Sequence, residues 1–171
     1  MQKINTKKLV LTALFTALII VATMFIRIPL PYGYVNLGDA FIFLSVLILG
    51  PILGTLAAGI GSAIADTFGY ITYAPGTLII KALMAITAYL TYAILLKTTK
   101  KKIISEILAG IAGTIVMAFG YFAYESLFFI SVGASIINVP YNIVQGLVGV
   151  FIAIAIMRVL TTTKVLDKIQ K

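Results

Sequence analysis

Five of the six hydrophobic stretches in this chain are long enough to cross a bilayer, and that feature limits its folds more than any other. About 20 apolar residues are needed to span about 30 Å of hydrocarbon. Such runs lie at Leu9–Ile26, Ile52–Tyr70, Pro75–Leu96, Ile104–Ile130 and Val139–Leu160, with a shorter one at Leu37–Leu49 that stops at Gly50-Pro51. Only 11% of the 171 residues are charged, too few to clothe a water-facing surface. A soluble enzyme is excluded, and the expected solvent is lipid. The first run follows Lys3, Lys7 and Lys8 like a signal peptide, but it is too long and meets Arg27, Pro29 and Pro31 instead of small residues, so it reads as a retained helix.

Charge decides whether the short second run crosses. With six crossings, Lys3, Lys7, Lys8, Lys97, Lys100, Lys101, Lys102, Arg158, Lys164, Lys168 and Lys171 share one side, leaving only Arg27 and Lys81 of the 13 basic residues elsewhere. With five, the Lys97–Lys102 loop falls opposite the N-terminal lysines, against the positive-inside bias. The expectation is an all-α protein of the cell membrane, six transmembrane helices in a single domain over residues 1–171, with both termini cytoplasmic. The net charge of +8 is then an orientation signal and not a nucleic-acid footprint. Loops at Ile28–Asn36, Ile71–Ala74 and Ser131–Asn138 face outward.

The chemistry available is narrow. There is no Cys and no His, which removes thiolates, imidazole catalysis and Cys/His metal sites. Gly76 to Lys81 lacks the rest of a phosphate-binding loop, and Gly59-Ile60-Gly61 lacks the third glycine of a dinucleotide fingerprint. No acidic cluster suits a metal and no serine has a base, so neither an enzyme, a cofactor nor a metal site is expected.

Ionisable residues inside apolar spans cost several kcal/mol and call for a partner or a purpose. Asp39, Asp66, Lys81 and Glu125 are such residues, while Glu106 sits at the cytoplasmic mouth. At about 1.5 Å per residue, Asp66, Lys81 and Glu125 fall about 6–9 Å below the outer boundary. Asn138, Tyr141, Asn142, Gln145 and Gly149 form one helical stripe at this level, and Tyr121, Tyr124, Glu125 and Phe128 another. Convergent polar groups among aromatic faces are the makings of a small-molecule pocket. The alternatives are an ion pair of Lys81 with Asp66 or Glu125, amides that only bridge helices, and an interfacial belt, to which Tyr70 and Tyr73 are assigned. Small residues four apart (Gly54/Ala58, Ala57/Gly61, Gly61/Ala65, Ala109/Gly113) suit internal packing. For Ala13/Ala17, packing and docking both stay open.

Asn36-Leu37-Gly38-Asp39-Ala40, Leu49-Gly50-Pro51, Ala57-Ala58-Gly59-Ile60-Gly61-Ser62, Ala65-Asp66, Ala74-Pro75-Gly76-Thr77-Leu78-Ile79-Ile80-Lys81 and Asn142-Ile143-Val144-Gln145-Gly146 resemble the S components of energy-coupling factor (ECF) vitamin transporters. Within that family they look closest to the riboflavin-type or hydroxymethylpyrimidine/pyridoxine-type branch. The resemblance implies a high-affinity subunit that captures a vitamin outside and reorients when docked on a coupling transmembrane subunit driven by two cytoplasmic ATPases. It implies that Ala13-Leu14-Phe15-Thr16-Ala17 is the family's docking motif and that Ile28–Asn36 is a lid. The candidate substrate-binding set is Asn36, Asp39, Asp66, Lys81, Tyr121, Tyr124, Glu125, Asn138, Tyr141, Asn142 and Gln145. A single aromatic heterocycle such as hydroxymethylpyrimidine or pyridoxine suits one carboxylate among amides and tyrosines, with riboflavin as the alternative. A proton-coupled carrier using Asp39, Asp66 or Glu125 is the rival, disfavoured by nearly pure Ile, Leu, Ala and Gly in the inner halves of the spans. A non-catalytic scaffold with no small-molecule ligand is the other.

Overall fold

A computed structural model describes residues 6–30, 34–164 and 166. Lys3, Pro31, Lys168 and Lys171 of the sequence argument lie outside the described residues. The elements are α1 (Thr6–Phe25), β1 (Arg27–Pro29), β2 (Tyr34–Asn36), α2 (Gly38–Leu49), α3 (Pro51–Thr67), α4 (Ala74–Thr99), α5 (Lys102–Phe128) and α6 (Val132–Thr162). Successive helices reverse direction. One end of the bundle therefore gathers Lys7, Lys8, Lys97, Lys100–Lys102, Arg158 and Lys164, and the other gathers the β1–β2 hairpin and the turns at 68–73 and 129–131.

Four helices, α1, α4, α5 and α6, are long and apolar enough to cross a membrane unaided. The α2 helix has only 12 residues, about 18 Å. It crosses as the innermost element, packed by α1, α3, α4 and α6, with Ile42, Phe43, Leu44, Val46 and Leu49 in the core. A helix wrapped by protein need not match the hydrocarbon thickness on its own. Gly54 and Gly149 make the close packing possible. A Cβ on Gly54 would lie 2.6 Å from the Val46 Cα, and one on Gly149 would lie 2.9 Å from the Asp39 Cβ and 3.1 Å from the Ala40 nitrogen. Gly149→Val is thus expected to wedge α6 from α2 and cost about 1–3 kcal/mol, read as a lower unfolding temperature in detergent.

Two boundaries differ from expectation. The segment Ser131–Asn138 is not an outer loop: α6 begins at Val132, capped by Ser131 Oγ, which accepts from the Ala134 N–H at 3.3 Å. Pro140 lies inside the helix, where a spanning segment can tolerate the missing hydrogen bond. The segment Ile28–Asn36 carries an antiparallel hairpin, pairing Arg27 with Asn36, Ile28 with Val35 and Pro29 with Tyr34. At the cytoplasmic end Glu106 is buried and forms an ion pair with Arg158, tying α5 to α6.

Candidate functional site

Helical spacing sets the polar groups of the outer half on one wall. On α6, Asn138, Asn142 and Gln145 recur at i, i+4 and i+7, and on α5 Tyr121 and Glu125 sit one turn apart. Thr77 follows Tyr73 by one turn at the start of α4, and Asp66 ends the buried face of α3. The hairpin supplies Leu30, Tyr34 and Asn36 from above. Together they line a cavity of about 30 Å³.

The wall is cross-braced by hydrogen bonds. The Tyr34 hydroxyl donates to Asp66. The Thr77 and Tyr121 hydroxyls lie 3.0 Å apart, and Asn138 Nδ2 donates to Glu125 Oε2 at 2.9 Å. The Asn36 N–H donates to Gln145 Oε1 at 2.8 Å, while Asn36 Oδ1 accepts from the Gly38 N–H at 2.8 Å. Asn142 takes none of these bonds and is only 8% exposed, so its carboxamide is directed to the cavity. Burial and the facing Glu125 carboxylate push the Tyr73 phenol up to about 12. Burial and Asp66 likewise raise the Tyr34 phenol above its ordinary range.

Lys81 is not paired with Asp66 or Glu125, as the sequence suggested. It forms an ion pair with Asp39 beneath the cavity, 3% and 0% exposed respectively, with Met117 Sδ 2.9 Å from the ammonium. Neither Lys81 nor Asp39 lines the cavity. The geometric cause is the start of α2: the pair sets its first turn, beginning at Gly38, level with Lys81, about two turns into α4. Asp66 accepts from Tyr34 and Glu125 from Asn138, so each acid of the set has its own partner.

Tyr124 and Tyr141 also lie off the wall. The Tyr124 ring covers Gly76, where a Cβ would come within 2.5 Å of it, and its hydroxyl donates to the Thr72 carbonyl at 2.8 Å. Tyr141 is 45% exposed on the lipid-facing side of α6. Conversely, Tyr34, Tyr73 and Thr77 stand on the wall without having been among the candidates. The signal for two of them was present, since Tyr73, Thr77 and Lys81 recur every four residues. Tyr70 packs on Tyr34 with ring centroids 4.4 Å apart, and the Arg27 guanidinium lies 5.2 Å from the Tyr34 ring centre.

The chemistry of the wall is specific in kind. Two carboxyl groups, four carboxamides, a threonine hydroxyl and three phenols face the cavity, and among the described residues no cation does. Such a site offers hydrogen bonds to hydroxyl, imide and amine groups and ring faces to a heteroaromatic. It offers no counter-charge to a carboxylate or phosphate.

Comparison with known proteins places this geometry. The family model for the S component of ECF-type riboflavin transporters matches residues 3–162. The solved structure of the S component of a bacterial ECF transporter superposes with a TM-score of 0.69 at 25% identity, covering 92% of this chain and 96% of that one. An uncharacterized protein of Pyrococcus woesei is 35% identical over 137 residues, 77% of this chain and 86% of its own length. The chain therefore belongs to the S-component family of ECF-type riboflavin transporters, and it is a multi-pass plasma-membrane protein that serves as the substrate-capture subunit of an ECF vitamin transporter.

Proposed function

We propose that the outer cavity captures riboflavin and that the chain delivers it inward when docked on an ATPase-driven coupling subunit. The observation that carries this reading is the makeup of the wall, many neutral donors and acceptors with two carboxyls and, among the described residues, no cation, in a chain of the riboflavin-type family. Riboflavin has a carbonyl–imide–carbonyl edge that carboxamides match, a ribityl chain whose hydroxyls can donate to Asp66 and Glu125, and a flat ring for Tyr34, Tyr73 and Tyr121. Hydroxymethylpyrimidine or pyridoxine is the second reading, favoured by the Glu125–Asn138 pair, which suits a hydroxymethyl or amino substituent.

The test is competition. Riboflavin bound to purified protein is challenged with pyridoxine, hydroxymethylpyrimidine, thiamine, niacin and the 5′-phosphate of riboflavin. Riboflavin alone is expected to hold the site, and the phosphate to compete poorly for want of a cation. Displacement by pyridoxine or hydroxymethylpyrimidine at lower concentration than riboflavin itself would transfer the assignment to the second reading. Uptake into liposomes by the chain alone under a proton gradient would support the carrier instead.

Docking is assigned to α1. Ala13 and Ala17 are exposed on a face with Val10, Leu14 and Val21, free of the internal packing that uses Phe15, Ile19 and Ala22. A small-residue pair on an open face allows close approach of a partner helix. Ala17→Trp is expected to abolish co-purification with the coupling subunit and its two ATPases and to stop uptake. Vitamin binding should change by no more than about twofold, as for an ordinary surface substitution.

A further inference from the structure

Neither member of the buried ion pair lines the cavity, yet one residue links the pair to the hairpin above. Asp39 Oδ2 accepts from Gln145 Nε2 at 2.7 Å, and Gln145 Oε1 accepts the backbone N–H of Asn36 at 2.8 Å. A side-chain amide can turn either way, but here one neighbour is a carboxylate that only accepts and the other a backbone N–H that only donates. One orientation satisfies both, with the Lys81 ammonium on the other carboxylate oxygen, Oδ1. We propose that Gln145 is the positioning residue that seats the β1–β2 hairpin over the cavity, with its amide oriented by the buried Lys81–Asp39 pair.

Three observations support this. A hairpin of three paired positions has little stability of its own and must be held from outside. Among the described residues its side-chain-mediated hydrogen bonds to α3 and α6 are two, Tyr34 to Asp66 and Asn36 to Gln145, while Thr23 of α1 donates to Asn36 Oδ1 at 3.4 Å. The second lies at a seam: Asn36 and Gln145 line the cavity on one side, and on the other an apolar groove formed by Ile28, Val35, Tyr141 and Val144. Breaking that bond parts the hairpin from α6 and leaves Asn36 without its acceptor. The role of the hairpin in holding ligand rests on the capture reading above, whereas the positioning of the hairpin does not.

Hydrogen–deuterium exchange on the full chain in detergent, without ligand, tests it. Gln145→Met keeps the apolar bulk and removes both bonds. Exchange of the backbone N–H groups of the paired strands, Asn36 above all, is expected to rise about tenfold, while α4 and α5 keep their protection. Lys81→Met with Asp39→Asn removes both charges together but leaves an acceptor for Nε2, and should leave hairpin exchange within about twofold of the parent. Lys81→Met with Asp39→Leu removes the acceptor and should behave like Gln145→Met. Unchanged hairpin exchange in Gln145→Met, a uniform rise across all helices, or equal behaviour of the two pair variants would overturn the proposal. A ligand arm adds riboflavin, whose dissociation should quicken in the loosened variants. If riboflavin does not bind the parent, the capture reading fails while the exchange result still decides the positioning role.

Discussion

Lys81→Met alone is expected to cost about 3–5 kcal/mol of stability, the largest loss of any single change in the outer half of the bundle. The reason is asymmetry. Lys81 and Asp39 are both withdrawn from solvent, and removing the ammonium leaves a carboxylate with Gln145 as its only remaining hydrogen-bond donor among the described residues. Replacing both members by neutral residues, Lys81→Met with Asp39→Asn, removes the stranded charge and should recover most of the loss. Thermal unfolding in detergent reads the difference. The measurement also separates two roles. If Lys81 held the vitamin, the single variant would lose affinity at nearly unchanged stability. Equal stability of the single and the double variants would contradict a structural ion pair.

Glu125→Gln and Asn142→Ala are expected to weaken vitamin binding by about 10- to 100-fold each, with the fold intact, as loss of a buried hydrogen-bond partner does. Glu125 already holds Asn138 through Oε2 and faces Tyr73, so the substitution preserves shape while turning an acceptor into a donor at the other oxygen. Asn142 contributes through a different edge, because its carboxamide is not committed to the protein's own bonds. The two sit on different helices and their effects should add within a factor of a few. Flavin fluorescence reports affinity directly, and the chain has no Trp to obscure it. Full affinity in both variants would move the site away from this wall.

Much of this was legible in the sequence, and the failures have physical causes. Six crossings followed from apolar runs and from the side on which lysines gather, because those are the two features that membrane insertion reads. The start of α6 was not legible, since Val139-Pro140 looks like a first helical turn, where proline is favoured. In the structure, Ser131 caps the helix two turns earlier and Pro140 is absorbed within it. The two misplaced tyrosines share one error. Tyr124 and Tyr141 each directly precede a wall residue, Glu125 and Asn142, and lie three positions after another, Tyr121 and Asn138. From Tyr121 and Asn138 a step of three falls about 60° short of a full turn, on the opposite side from the step of four that leads to Glu125 and Asn142.

The partner of Lys81 was hidden for a different reason. A depth counted along each helix from the outer boundary assumes that every helix starts there. The α2 helix does not, its first turn lying level with Lys81, and the hairpin that bridges the difference in depth is what brings Tyr34 and Asn36 onto the wall. The same low start thus explains the Lys81–Asp39 pair and the hairpin's place over the cavity. Ala13/Ala17 could not be resolved from spacing, because internal and external small-residue faces look alike in sequence. Only the packing of Phe15 and Ile19 shows which face of α1 is turned inward.

The most direct test of the capture account is an equilibrium titration of riboflavin against the isolated, purified chain in detergent, with no nucleotide and no partner present. The account predicts saturable quenching of flavin fluorescence with one molecule bound per chain and nanomolar affinity. A folded chain that shows no saturable binding up to high micromolar riboflavin would contradict it.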